Sequence, residues 1–260
     1  MYFFTLASSS KGNCALVCSG DTKLLIDAGL SAARLEKALQ AVGERPEQLA
    51  AILITHEHTD HVQGVARLAY KYSLPVYATP KTWGSLSEVP TYLQNDYSYG
   101  LQLGDFVLDF CKTSHDAVQP VGLVLQAEGK RLAYITDTGC VTRGMLAAMA
   151  AEPLDGVVLE ANHDRQMLLQ GPYPYALKRR VASEQGHLTN AQAAELLAWL
   201  WQRQGVCPVL LAHLSETNNA PQLAYDTVAA ALCRQISAAE LSQWLSVAPA
   251  LGQSRVLQFD

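Results

Sequence analysis

The sequence predicts a mixed α/β fold, and three observations carry that reading. Short apolar runs rich in β-branched residues recur through the first two thirds of the chain, helical periodicity appears between them, and tight-turn chemistry joins several of the runs. Strands are expected at Tyr2 to Ala7, Ala15 to Cys18, Leu24 to Ile26, Ala51 to Thr55, Val76 to Ala78, Phe106 to Cys111, Val121 to Gln126 and Leu132 to Thr136. Ser19-Gly20-Asp21 and Glu128-Gly129-Lys130 predict antiparallel hairpins, because these residues tolerate the backbone angles of a tight reversal. Ala32, Leu35, Ala38, Leu39 and Val42 share one helical face, and Gly43 follows as a stop. Thr189 and Gln192 have the spacing of a capping box before Ala193 to Gln204, which Gly205 closes. Asn219 and Pro221 open a further helix that runs to about Arg234. No linker, charge block or internal repeat marks a boundary, so residues 1–260 are expected to form a single domain.

With 260 residues, 49% hydrophobic and 17% charged, the chain can bury a sizeable core, which excludes intrinsic disorder. Its 17 glycines and 11 prolines show no short period, which excludes collagen-like and low-complexity classes. No stretch approaches the length of an apolar membrane span, and the apolar opening Met1 to Ala7 has no basic flank. A soluble, cytoplasmic protein is therefore expected. The cysteines (Cys14, Cys18, Cys111, Cys140, Cys207, Cys233) are scattered over a chain too large to need cross-links, which suits reduced thiols. Nineteen basic against 24 acidic residues leave a net charge of -5, which argues against a broad basic nucleic-acid face. A pair of divalent cations in one cleft would nonetheless dominate the field that an anionic substrate meets.

The segment Ile54-Thr55-His56-Glu57-His58-Thr59-Asp60-His61-Val62 carries the chemistry. It places four potential metal ligands within six residues at the end of an apolar strand. His56 and His58 alternate onto one side of an extended chain. Asp60 and His61 lie past the strand end, where they can turn towards a second ion beside the first. The other histidines are His115, His163, His187 and His213. His115, Asp137 and His213 each follow an expected strand or apolar run, so a rigid sheet would deliver them to one rim.

Thr55 to His61, His115, Asp137 and His213, with Leu25-Ile26-Asp27-Ala28-Gly29 upstream, resemble the ordered motif set of the metallo-β-lactamase fold superfamily. Longer strings are similar to its YycJ/WalJ (VicX) group, in the nuclease-type branch. They are Ser8 to Cys14, Ser114 to Gly122, Leu159 to Asp164, Gly186 to Asn190 and His213 to Asn219. The resemblance implies an αββα four-layer sandwich, two facing mixed sheets with helices outside and metals at one edge. It implies that His56, His58 and His115 hold one divalent ion, that Asp60, His61 and His213 hold the other, and that Asp137 bridges them. Asp27 would orient the metal loop from behind. Zn, Mn and Fe suit such ligands alike.

Departures from other branches narrow the reading. Class B β-lactamases usually carry a cysteine where Asp137 stands, and flavodiiron relatives a glutamate where His58 stands. The tRNase Z enzymes have a long arm between the positions of His115 and Asp137, where this chain has 21 residues. RNase J relatives insert a whole domain after the bridging aspartate, and there is no room for one here.

In tRNase Z the histidine of a comparable Gly-His-Ser/Thr string protonates the leaving oxygen, with an acidic residue matching Glu160 to orient it. By resemblance His187 is the candidate general acid. Capping the helix near Thr189, or ligating the second ion in place of His213, are the other roles open to it. His163 is compatible with packing, substrate contact or chemistry. Lys178, Arg179 and Arg180, near Arg165 and with Tyr173 and Tyr175, suit phosphate binding and base stacking. A solvated turn would read the same. Trp83, Tyr92, Tyr97 and Tyr99 could form the opposite wall.

The expected function is a two-metal phosphodiesterase, an exonuclease on DNA in preference to RNA, with Asp60 orienting the nucleophile's proton and His187 protonating the departing sugar oxygen. Its 5′ to 3′ polarity is implied by the resemblance to the YycJ-like group alone. Hydrolysis of a thioester, lactone or cyclic phosphate at the same site is the alternative. A non-catalytic metal-binding regulatory protein is a third reading, against which the intact ligand set argues.

Overall fold

The structure, a computed structural model, describes residues 1–259. The N-terminal half contributes β1 (Tyr2–Ser9), β2 (Gly12–Ser19), β3 (Thr22–Ile26), β4 (Ala51–Leu53), β5 (Val76–Ala78) and β6 (Gln94–Asp96), hydrogen-bonded in that order. A second seven-stranded sheet follows with β7 (Leu101–Leu103), β8 (Phe106–Lys112), β9 (Val121–Ala127), β10 (Lys130–Ile135), β11 (Gly156–Glu160), β12 (Val209–Ala212) and β13 (Leu245–Val247), again in sequence order. β14 (Leu257–Gln258) then returns to the first sheet and pairs antiparallel with β1.

The predicted hairpins form. β2 and β3 are antiparallel across Gly20-Asp21, and β9 and β10 across Glu128-Gly129. Both turn residues of the second hairpin have positive φ, the geometry whose twist matches that of the flanking strands.

Burial on both faces of the strands sets the layers. Leu24 and Ile26 of β3 meet Phe106, Leu123, Leu132 and Val158 from the second sheet in a core between the sheets. Their neighbour Leu25 faces outward and packs with α1 (Ala32–Ala41) and with α3 (Val65–Tyr72), which follows the short α2 (Thr59–Val62). The outer face of the second sheet, including Ile135, Leu159 and Leu211, is covered by α4 (Arg143–Ala150). After α5 (Arg165–Gln170) and α6 (Tyr175–Val181), that cover continues with α7 (Asn190–Gln204), α8 (Pro221–Leu232) and α9 (Ala238–Trp244). Helix, sheet, sheet, helix is the expected αββα order. The Thr189/Gln192 capping box starts α7, as its spacing predicts.

Two expected strands end early. β4 stops at Leu53, because the Thr55 amide turns to the Asp27 carboxylate instead of a neighbouring strand. β10 stops at Ile135, before the left-handed backbone of Asp137. The short β6, β7, β13 and β14 show too few residues for alternation to register in the sequence.

The topology places the site. β3 and β4 run parallel, as do β10, β11 and β12, so their carboxyl ends emerge along common edges. Asp27, His56, Asp137, Glu160 and His213 all lie at or just past those ends. Among the described residues no helix is long and apolar enough to cross a membrane, and all six cysteines are unpaired.

Candidate metal centre

Asp27, Asp137 and His213 follow β3, β10 and β12, and each has a positive φ of 55 to 57°. For side chains other than glycine this left-handed turn is strained, so surrounding contacts must hold it. Those contacts are present. Asp27 is fully buried and accepts from the Thr55 amide, the Thr55 hydroxyl and Nδ1 of His61. His213 donates its amide to Ser8 Oγ, and its carbonyl accepts from Asn162 Nδ2.

The strand ends bring the predicted ligands together. Ligand atoms of His56, His58 and His115 lie within 4.8 Å of one another, and so do those of Asp60, His61 and His213. Asp137 stands between the two groups, with Oδ2 3.2 Å from His61 Nε2 and Oδ1 3.5 Å from His115 Nε2.

Back-side hydrogen bonds turn one ring nitrogen inward on three of these histidines. Nδ1 of His61 donates to Asp27 at 2.8 Å, Nδ1 of His213 to Glu160 at 2.8 Å, and Nδ1 of His115 to the Gly186 carbonyl at 3.0 Å. Each bond fixes the tautomer that leaves Nε2 as a lone-pair donor. His56 Nε2, His213 Nε2 and Asp137 Oδ2 are buried and have no hydrogen-bond partner among the described residues. Unsatisfied buried polar atoms are costly, and a cation satisfies imidazole lone pairs and a carboxylate oxygen together. The donor set therefore fits divalent metal.

Electrostatics agree. Burial works against a charged His61, but the Asp137 and Asp27 carboxylates outweigh it and hold its pKa up to about 10. Burial likewise works against the Asp137 carboxylate, yet His213 and His61 keep it well below the usual range. Burial depresses His56, with His61 adding to the effect. Clustered carboxylates make the pocket a sink for positive charge, and metal competes there with protons.

His187 lines the same cleft, its ring 5.0 Å from that of His115 and 5.2 Å from that of His213, and has Nδ1 2.8 Å from Glu160 Oε2. Glu160 is fully buried at the end of β11. Its other oxygen accepts from the Leu188 amide at 2.8 Å. Burial would raise this carboxyl, but His187 and His213 bring it down to about 2. The cleft, about 180 Å³, is lined on its metal side by His58, Asp60, His115, Asp137, His187 and His213. Tyr173, Leu177 and Arg180 close its outer wall.

A β-lactamase superfamily domain model matches residues 22–207. The chain belongs to this superfamily. It is 37% identical over 238 residues to the exodeoxyribonuclease YycJ of Bacillus anthracis, covering 89% of each chain. It is 39% identical over 232 residues to the exodeoxyribonuclease WalJ of Streptococcus pneumoniae, covering 86% of this chain and 85% of that one. Among solved structures it resembles the metallo-β-lactamase fold protein YhfI of Bacillus subtilis, with a TM-score of 0.72, 17% identity and 99% coverage of both chains. The resemblance to the YycJ/WalJ group and the αββα fold expected from the motifs stand on these matches.

The basic stretch divides. Arg180 lies at the rim of the cleft and grips Asp116 through two nitrogens, at 2.5 and 3.1 Å. Lys178 donates to the Leu169 carbonyl, and Arg179 lies over the Tyr175 ring at 6.0 Å. Neither lines the cleft. All three sit on α6, so the solvated turn that the sequence leaves open is a helix.

None of Trp83, Tyr92, Tyr97 and Tyr99 lines the cleft, so they do not form its opposite wall. Tyr97 is buried with its hydroxyl on the Ile54 carbonyl, Tyr99 stacks on Phe110, and Trp83 donates to Asp96. His163 is 1% exposed behind the cleft. His187 does not cap α7, because Thr189 does so itself.

Sequence reasoning missed three supports. Asn13 donates to Asp60 Oδ2 at 3.3 Å, the Thr55 hydroxyl links Asp27 to Nδ1 of His56, and Asp116 anchors Arg180. Asn13 and Asp116 lie in the strings that carry the family likeness, which was their available signal.

Proposed function

We propose that the chain is a metal-dependent phosphodiesterase that acts as a 5′ to 3′ exonuclease on DNA, with two divalent ions, Zn or Mn, as cofactors. One observation carries the reading: seven candidate ligands converge, and five of them, His58, Asp60, His115, Asp137 and His213, line a cleft that also holds the carboxylate-bound His187. Likeness to relatives named exodeoxyribonucleases over most of both chains supports DNA as substrate and strand ends as the point of attack. The polarity rests on the group alone. The unpaired thiols, three of them pushed up by burial to about 11 or 12, suit the reducing cytoplasm. Residues 1–260 act as one domain in this proposal.

His56, His58 and His115 would hold one ion and Asp60, His61 and His213 the other, with Asp137 between the two groups. When bound, such ions would supply Lewis acidity, which lowers the pKa of water and offsets charge developing on the phosphate. The chain's own groups do the rest. Asp60, which Asn13 steadies, orients the proton of the attacking water. His187 gives a proton to the departing sugar oxygen from the ring nitrogen facing the cleft, while Nδ1–H stays on Glu160. Glu160 thereby fixes the ring as the buried acid of a triad fixes its histidine. Arg180 holds a phosphate at the rim, with Asp116 limiting its motion.

The test is incubation of end-labelled single- and double-stranded DNA and RNA with the protein and Mn²⁺ or Zn²⁺, beside an Asp60→Ala/His61→Ala control. Stepwise release from 5′ DNA ends that vanishes in the control is expected. Faster turnover of thioesters or lactones than of any nucleic acid would overturn the reading.

A further inference from the structure

Two hollows extend the surface away from the metal cleft on the side of the β1–β2 hairpin. Ser10, at its tip, lines the metal cleft, while its neighbours Ser9 and Lys11 line the first hollow. That hollow shares Leu30, Arg34 and Leu251 with a second, of about 390 Å³. The floor of the second is aliphatic, and Arg34 and Lys37 stand at its edge.

Lys11, Arg34 and Lys37 therefore mark a line of cations leading away from the metals. Arg34 and Lys37 are one turn apart on the exposed face of α1, where residues three apart are neighbours, and no carboxylate pairs with either among the described residues. Among the described residues Lys11 pairs only with Glu216, at 2.8 Å between two exposed side chains, a contact that an arriving phosphate can replace. Leu251, 59% exposed, adds apolar surface beside them. The hollow on the opposite side, reached past His115, has a single cation in its lining, Lys112.

We propose that this line is a binding path for single-stranded nucleic acid. The strand whose end is held at the metals passes Ser10 and Lys11, sets its phosphates against Arg34 and Lys37, and lays unpaired bases on the aliphatic floor. Phosphate neutralisation along one groove is the electrostatic part of sequence-independent single-strand binding, and the aliphatic floor supplies apolar surface against which base faces are buried, without aromatic stacking. The proposal rests on the nuclease reading, and it adds a length preference which the metal centre alone does not impose.

The test compares wild type, Arg34→Gln/Lys37→Gln and Lys112→Gln on a dinucleotide and on single-stranded oligonucleotides of increasing length, with Mn²⁺ present. In wild type KM falls with length. In the double variant KM for long strands rises about tenfold, the slope of log KM against log salt flattens by about 1.4, and the dinucleotide is cleaved as by wild type. Lys112→Gln behaves as wild type. Unchanged KM in the double variant, or a length effect lost in Lys112→Gln instead, would overturn the path. Wild type that cleaves DNA with a KM independent of length would sink the path alone. Wild type that cleaves no nucleic acid would sink the nuclease reading with it.

Discussion

Glu160 Oε2 lies 2.8 Å from Nδ1 of His187, and the same oxygen lies 2.8 Å from Nδ1 of His213. One buried carboxylate thus orients both the candidate acid and a candidate metal ligand. Replacing Glu160 with Gln should disturb both, because an amide oxygen carries no full charge and the amide nitrogen donates where it must accept. We expect metal affinity to fall about 10- to 100-fold and turnover to fall further still at saturating metal. Metal titrations followed by kcat at saturation separate the two losses. Unchanged affinity and turnover would remove Glu160 from the mechanism.

His187→Ala tests the acid alone. Metal content should stay at the wild-type level while kcat falls ~10²-fold or more, the usual scale for a lost general acid. A substrate with a good leaving group, which needs no proton, should lose much less. Loss of one metal equivalent would reassign His187 as a ligand.

The fold was legible because its signals are local. Hairpin turns, the α7 capping box and the α1 face need no knowledge of the rest of the chain. The ligand segment was legible for a similar reason, since His56 to His61 pack their donors into one turn of chain. What the sequence could not show is which side chains face the cleft from a distance. Lys178, Arg179 and Arg180 look alike as a string, but α6 turns Arg180 to the rim and the other two away. Tyr97 looks like a surface aromatic and is buried, because its hydroxyl finds the Ile54 carbonyl across the sheet. The strain at Asp27, Asp137 and His213 is invisible without the backbone.

That division of the basic stretch makes a prediction. Arg180→Ala should weaken DNA affinity and flatten the salt slope by roughly 0.7 to 0.9, one phosphate contact. Arg179→Ala and Lys178→Ala should leave both nearly unchanged. Binding isotherms at several salt concentrations, read on a catalytically inactive background, measure this. Equal losses in all three variants would mean that the whole helix face meets the strand.

His163 predicts an acid-side instability. Burial pushes its pKa down to about 4, and the neighbouring Glu160 carboxylate offsets only part of this. The folded state therefore binds fewer protons than the unfolded chain between pH ~4 and ~6.5. The corresponding stability is full above pH ~6.5 and lost as pH falls through ~4, about 3 kcal/mol in all. Urea midpoints in chelator, so that metal release does not contribute, should fall more steeply over this window in wild type than in His163→Gln. Parallel curves would show that His163 is charged or solvated in the folded protein.

Crystals of the Mn²⁺-loaded protein, with anomalous difference density collected at the metal edge, test the central claim most directly. Two peaks about 3.5 to 4 Å apart are expected, one held by His56, His58 and His115, the other by Asp60, His61 and His213, with Asp137 reaching both. A single peak, or a peak that leaves either triad without metal, would contradict the two-ion centre on which the proposed cleavage depends.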